Sequence, residues 1–394
     1  MIKLVLNPYK NIDWQTVQKC RADLHAHTTE SDGGWYGSDL IKLYKEKGEY
    51  KIFIITDHDS WRQASATPCA NNHVLDIPSY PWSIWEGSQT FNYSTTWDYC
   101  INNGLGTVTQ PTPGTYSLDN GVVTFPDGYK MITGKGVEYT RGHHINAFFN
   151  CLGGYSTGAV SESLKLTIET GIVDSVLKQG GMCIISHPAW SSLEPYSFYH
   201  DLFTKYPVSI LPGCEVIVET DSDLVETRGL WDDLLKELMP GRPIWAYSND
   251  DVHSYAEIFK CYQYFLLPDF TQESLKSAMV NGQSFVCYDR TGNDKNRADF
   301  GKARAPMITN IATTDTTITI TATNYTTINW IYDGTVISTG ATFNFSGYAN
   351  KYIRAEIINS ADLYTYTQPF GFRSDAYTPL MPTNKYVKVD NTWI

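Results

Sequence analysis

Seven of the nine histidines fall in five short fragments of the chain. In order these read Asp23-Leu24-His25-Ala26-His27, Thr56-Asp57-His58-Asp59, Gly142-His143-His144-Ile145-Asn146, Ser186-His187-Pro188 and Asp250-Asp251-Val252-His253. Each looks like the end of a β-strand, and imidazole is the commonest protein metal ligand. Repeated delivery of His and carboxylate from strand ends suggests one polynuclear metal centre. His25-x-His27 on a strand sends both rings to one face, because side chains alternate with a period of two. Nitrogen and oxygen donors without thiolate suit Mn²⁺, Fe²⁺ or Zn²⁺ better than a closed structural zinc site.

The elements that must position these groups are visible as apolar runs alternating with amphipathic segments up to about residue 289. Strands are predicted over 22–27, 51–56, 136–139, 144–150, 182–186, 214–218 and 243–247. Helices are predicted over 38–47 with Ser38 as cap, 166–179 closed by Gly180-Gly181, 228–238, and 272–281 with Thr271 as cap. Strands separated by helix-length segments indicate an α/β fold with a parallel sheet, closed as a barrel. An insertion over 61–130 is rich in Trp, Tyr, Pro, Gly and Asn, and is long enough to be a lid or small subdomain. Its Trp82, Trp85 and Trp97 would either stack on substrate or form a private core, and Trp85 is the substrate-binding candidate. After a polar linker, 290–305, period-two runs of Thr, Ile, Asn and Tyr and the hairpin signal Asp333-Gly334 predict a small immunoglobulin-like β-sandwich over 306–373, with a tail over 374–394.

With 394 residues, 42 acidic against 30 basic and a net charge of −12, the chain argues against wrapping long nucleic acid through phosphate contacts. The eight cysteines (20, 69, 100, 151, 183, 214, 261, 287) are scattered without a C-x-x-C pair, so free thiols in a reducing compartment are expected. Cys183 and Cys214 read as inert core residues; Cys69 and Cys100 share one loop-rich segment. No secretory h-region opens the chain, and no run of about 18 apolar residues spans a membrane, so a cytoplasmic protein is expected.

Taken jointly, the fragments closely resemble the motifs of the polymerase-and-histidinol-phosphatase (PHP) superfamily of metal-dependent hydrolases. The order is an H-x-H strand (His25, His27), a T-D-H strand (His58), a G-x-E strand (Gly136-Val137-Glu138), a histidine shortly after, an S-H-P strand (His187) and a D-x-H (Asp251, His253). Asn7-Pro8-Tyr9 ahead of the H-x-H, and Gly136-Val137-Glu138-Tyr139-Thr140 before Gly142-His143-His144-Ile145-Asn146-Ala147, are similar to the CehA/McbA-like branch. The resemblance covers roughly residues 1–290 and implies a distorted (β/α)7 barrel with three divalent metal ions at its strand ends. It implies a first metal on His25, His27, Glu138 and Asp251, with Glu138 bridging to a second on His144 and His187. A third would take Asp32, His58 and His253. His143 stays the competitor of His144 for its position.

A metal-bridging hydroxide is the implied nucleophile, since close divalent ions lower the pKa of a shared water to about 7 and clamp entering and leaving oxygens. Glu138, Asp59 and Arg141 are the catalytic candidates. Asp57 and Asp59 would either orient ligand imidazoles or act as turn carboxylates. Arg141, Arg62 and Lys135 are cations that would meet a phosphate, or simple surface charges. Glu215 and Glu219 are each either a general acid or a surface ion-pair partner; His73 and His200 have no motif around them.

The leading expectation is a phosphoesterase acting on a diester or a small phosphorylated substrate. A carbamate or ester hydrolase is the second reading, and a binding protein with the β-domain as its attachment module the third. The ending around 384–393 looks like short terminal repeats of phage virion proteins, which would make the protein a virion-associated enzyme on a phosphate-containing surface polymer.

Overall fold

The computed structural model describes residues 1–28, 31–35, 37–58, 117–119, 122–125, 127–132, 136–139, 143–149, 172–174, 176–177, 180–190, 193–218, 221–374, 388–389 and 392–393. The insertion's Trp82, Trp85 and Trp97, together with Asp59, Arg62, Lys135, Arg141, Glu219, His73, Cys69, Cys100 and Cys151, lie outside the described residues.

Two sheets hold the histidine fragments, and the fold is mixed α/β. In the first, Gln18–Asp23 pairs parallel with Ile52–Phe53 and antiparallel with Cys261–Leu267, which in turn pairs with Ser284–Tyr288. In the second, Trp245–Ser248, Gly213–Ile217 and Met182–Ile185 run parallel, followed by Ile145–Phe148 and Gly136–Tyr139. The expected parallel sheet is thus corrected to mixed ones. Ile145–Phe148 is antiparallel to both its neighbours, because the five residues after Tyr139 are too few for the crossover a parallel pair requires. Two isolated parallel bridges join the sheets, Ala26 with Val252 and His58 with Glu138, so the sheets meet on both sides of the histidine fragments.

Helical boundaries follow local chemistry where caps are present. Gln272–Asn281 starts after Thr271, whose hydroxyl accepts from the Ser274 amide at 3.1 Å, and stops at Gly282 in the left-handed region (φ 64°). Gly37–Glu46 buries Leu40, Ile41 and Tyr44 as their spacing predicts, but it begins before Ser38, which therefore sits in the first turn rather than capping it. Asp221–Leu238 starts a full two turns earlier than its apolar periodicity indicates.

The β-rich end is hydrogen-bonded into the rest of the molecule. Tyr364–Thr367 pairs with Ser284–Tyr288, and Phe370–Ser374 pairs with the N-terminal strand Ile2–Leu6, a long-range match no local pattern announces. Met307–Thr313, Thr317–Thr323 and Thr342–Asn344 form a separate sheet. Their inward Ile308, Ile318, Ile320 and Phe343 share one apolar cluster with Trp330, Ile353 and Phe372. Among the described residues no helix is long and apolar enough to cross a membrane, and the described cysteines are free and buried.

A buried ion pair fastens helix Asp221–Leu238 to the β-rich end. Arg354 donates twice to Asp232, at 2.8 and 2.7 Å, and once to Glu356 at 2.7 Å, while the Tyr352 hydroxyl donates to Asp232 at 2.6 Å. Both partners are almost fully buried. Asp232→Ala is expected to destabilise the protein by about 3–5 kcal/mol, because it strands a buried guanidinium. The double variant Asp232→Leu/Arg354→Met should recover most of that loss in urea unfolding midpoints, and equal midpoints for wild type and Asp232→Ala would contradict the assignment.

Candidate metal centre

The fragments converge because strands of both sheets end at one place. Gln18–Asp23 delivers His25 and His27, the segment after Ile52–Phe53 delivers His58, and Gly136–Tyr139 carries Glu138. His144 precedes Ile145–Phe148, His187 follows Met182–Ile185, and Asp251 and His253 follow Trp245–Ser248. Asp32 arrives on a tight turn in which Gly33 is required, since a Cβ there would stand 2.3 Å from the His27 carbonyl oxygen.

Three overlapping groups result, each with its donor atoms within 4.8 Å of one another. They are His25, His27, Glu138 and Asp251; Glu138, His144 and His187; and His27, Asp32, His58 and His253. Glu138 belongs to two groups, and so does His27, which the sequence resemblance places only in the first. His144 Nδ1 lies 3.1 Å from Glu138 and 3.3 Å from His187 Nε2. His143 instead packs edge-on to Phe198 and Tyr199.

Whether these side chains fit cations can be judged from their unmet valences. His25 Nε2 and His27 Nε2 face each other at 3.0 Å, and both lie 3.0 Å from Asp251 Oδ1. Yet Asp251 Oδ1, Glu138 Oε2 and His58 Nδ1 are buried and have no hydrogen-bond partner of acceptable geometry. Buried acceptors converging on acceptors are unfavourable unless a positive charge sits among them, so the donor set fits divalent cations.

Further polar groups lie against ring nitrogens of three of the cluster's histidines. His25 Nδ1 is 2.9 Å from Glu215 Oε1, His27 Nδ1 is 3.3 Å from Ser31 Oγ, and His253 Nδ1 is 2.9 Å from the Asp251 carbonyl. Asp57 accepts from the Thr28 amide (2.6 Å), the Thr28 hydroxyl (2.7 Å) and the Ser31 hydroxyl (2.7 Å). It therefore acts on His27 through Ser31 rather than by touching an imidazole. Asp251 sits at φ 51°, a left-handed conformation costing on the order of 1 kcal/mol for a non-glycine residue. Its predecessor Asp250 holds the turn by accepting from the amides of Phe259, Lys260 and Cys261 and from the Tyr44 hydroxyl.

Glu215 is the residue whose role its sequence context hides. Rather than forming a surface pair, it is fully buried and accepts from the His187 amide (2.9 Å) and Asn249 (2.7 Å) besides facing His25. The signal was its place on a strand between two strands that lead into the cluster, a position with no motif of its own. Glu215→Gln is expected to lower metal affinity or activity by about 10- to 100-fold. Metal titration of the variant measures this, and wild-type affinity would remove Glu215 from the site.

Electrostatics of the centre are dominated by burial, opposed by neighbouring charge. Burial alone would raise the Glu138 and Asp251 carboxyls, but His25 and the other imidazoles hold both well below the usual carboxylate range. Burial would lower His58, whereas Asp32 and Glu138 outweigh it and raise the ring to about 10; for His253, Asp32 and Asp251 do the same, to about 9.

No family model and no curated protein matches the sequence. Solved structures do match. One is a two-domain protein containing a predicted PHP-like metal-dependent phosphoesterase from Bacteroides vulgatus, with 13% identity, a TM-score of 0.44, and coverage of 93% of this chain and 98% of that one. Another is Endonuclease Q in complex with a 27-mer duplex carrying an abasic lesion at its active site, at 14% identity, TM-score 0.40, and 66% of this chain against 56% of that one. The lesion-specific endonuclease from Pyrococcus furiosus matches at 14% identity and TM-score 0.37, over 67% of this chain and 56% of its own. The chain thus spans just over half the length of the two endonucleases.

Proposed function

We propose that the chain is a metal-dependent hydrolase of the PHP superfamily, and that it is a phosphoesterase acting on a phosphodiester or a small phosphomonoester. The observation that carries this reading is the convergence of nine imidazoles and carboxylates on three overlapping groups, with buried acceptor atoms that lack proton donors. A distorted seven-stranded barrel is the matching architecture. The two bridges at the site, Ala26 to Val252 and His58 to Glu138, support it.

In this reading His25, His27, Glu138 and Asp251 would hold one divalent ion, Glu138 with His144 and His187 a second, and His27, Asp32, His58 and His253 a third. Bound there, the ions would supply an acidified water and neutralise charge on the phosphoryl oxygens. Glu138, shared between two groups and buried, would contribute a carboxylate oxygen to each of two neighbouring ions. Glu215 and Ser31 hold the His25 and His27 protons on Nδ1, so both Nε2 atoms stay free of hydrogen. The centre is buried at His25, His27 and Glu138 and is partly exposed at Asp32, His253 and His144, where substrate would enter. Asp59, Arg141, Arg62 and Trp85 remain candidates for catalysis and substrate binding.

The test is elemental analysis of the purified protein together with turnover of bis-p-nitrophenyl phosphate, p-nitrophenyl phosphate, a single-stranded oligonucleotide and an aryl carbamate. Bound Mn, Fe or Zn with phosphoester turnover is expected. Carbamate turnover alone would replace phosphorus by carbon as the reaction centre, and protein that takes up no metal would end the proposal.

A further inference from the structure

Few large apolar side chains are exposed among the described residues, and one of them stands beside the metal centre. Trp190 is 56% exposed, while its ring lies 5.5 Å from that of His144 and 5.6 Å from that of His187. Its indole is inclined by only 31° to the His144 imidazole. It is held there by the turn after Met182–Ile185: the Trp190 amide donates to the His187 carbonyl at 3.0 Å, and the Tyr199 hydroxyl donates to the Pro188 carbonyl at 3.2 Å. Leu193, also exposed, follows three residues later. Val5, Tyr325 and Val336, other exposed apolar residues, belong to the N-terminal strand and the β-rich end.

An indole left half in water forgoes the gain of burial, and beside the cluster it offers a flat apolar face to a ligand. It adjoins the second metal group, where His144 is partly exposed and His187 and Glu138 are not. A substrate phosphoryl group bound to a cation that Glu138, His144 and His187 would hold could then carry its ester substituent across the indole face.

We propose that Trp190 is the specificity-determining residue of this site, a platform on which a flat aromatic ring of the substrate stacks, so that the preferred substrates are aryl or heteroaryl phosphoesters. The inference rests on the phosphoesterase reading above. Indole has the largest π face among side chains, and an offset-stacked partner gains free energy beyond the area it buries. No covalent step is assigned to Trp190.

Calorimetry of the metal-loaded full chain with phenylphosphonate and with methylphosphonate tests this directly, because neither probe can be hydrolysed. Wild type should bind the phenyl compound about three- to tenfold more tightly than the methyl one. Trp190→Ala should bring the two affinities together at unchanged metal content, and Trp190→Phe should restore most of the difference. A residue that only supports the fold would lower the thermal midpoint and weaken both probes alike. An affinity ratio that is the same in wild type and Trp190→Ala overturns the inference, while the phosphoesterase reading survives on wild-type turnover. If loaded wild type binds neither probe and turns over no phosphoester, both readings fall.

Discussion

Glu138→Gln is expected to cut turnover at least about 10³-fold and to reduce the bound metal, although the side chain it installs has nearly the same shape. The reason lies in the contacts Glu138 makes in the centre. Its Oε1 lies 3.0 Å from His187 and 3.1 Å from His144, and its Oε2 lies 2.9 Å from His58 and 3.3 Å from both His25 and His27. One carboxylate therefore touches all three groups. Neighbouring imidazoles keep it ionised despite complete burial, so the amide removes a real negative charge and puts an N–H donor among the imidazole nitrogens. Circular dichroism should show the fold retained, which separates loss of the centre from loss of the protein. A Glu138→Gln protein with full metal content and more than a tenth of wild-type turnover would mean that the carboxylate does not bridge.

Stripping metal with a chelator is expected to lower the thermal midpoint by about 10 °C. Three sites, each at a hundredfold excess of free ion over its dissociation constant, contribute about 8 kcal/mol of linkage, and at this chain length about 0.8 kcal/mol corresponds to one degree. The effect must depend on pH, because protons compete with metal for the same nitrogens. In stripped protein His58 and His253 are raised to about 10 and about 9, burial notwithstanding, by Asp32 and the neighbouring carboxylates. Folded-state values above the unfolded value of about 6.5 mean that their pairing stabilises stripped protein fully below that pH. That contribution is lost as pH rises through about 9 and about 10. Metal-loaded protein gains over the same range as competing protons leave. The difference in midpoint between loaded and stripped protein should widen from pH 6 to pH 8.5, with protons released on loading at pH 7.5 in calorimetry across buffers of different ionisation enthalpy. A gap that does not change with pH would show that the stabilising ions are bound elsewhere.

Much of this centre is legible along the chain because ligand chemistry is local: an imidazole or carboxylate at a strand end announces itself by type and by period-two spacing. Gln272–Asn281 is readable for the same reason, since Thr271 and Gly282 cap it with their own atoms. Asp221–Leu238 is misjudged at its start, because its first two turns lack the apolar periodicity that marks a buried face.

The amino-acid sequence by itself determined the types and the order of the side chains that cluster, since each is read within a few positions of the chain. Tertiary structure alone decided which atoms meet. It turned His144 toward Glu138 and His143 toward Phe198, placed Glu215 behind His25, and set Trp190 half in solvent at the edge of the centre. It also paired Ile2–Leu6 with Phe370–Ser374 across nearly the whole chain. Such choices are made by burial and hydrogen-bond satisfaction summed over the whole fold, in which partners such as His25 and Glu215, or Ile2–Leu6 and Phe370–Ser374, lie far apart along the chain.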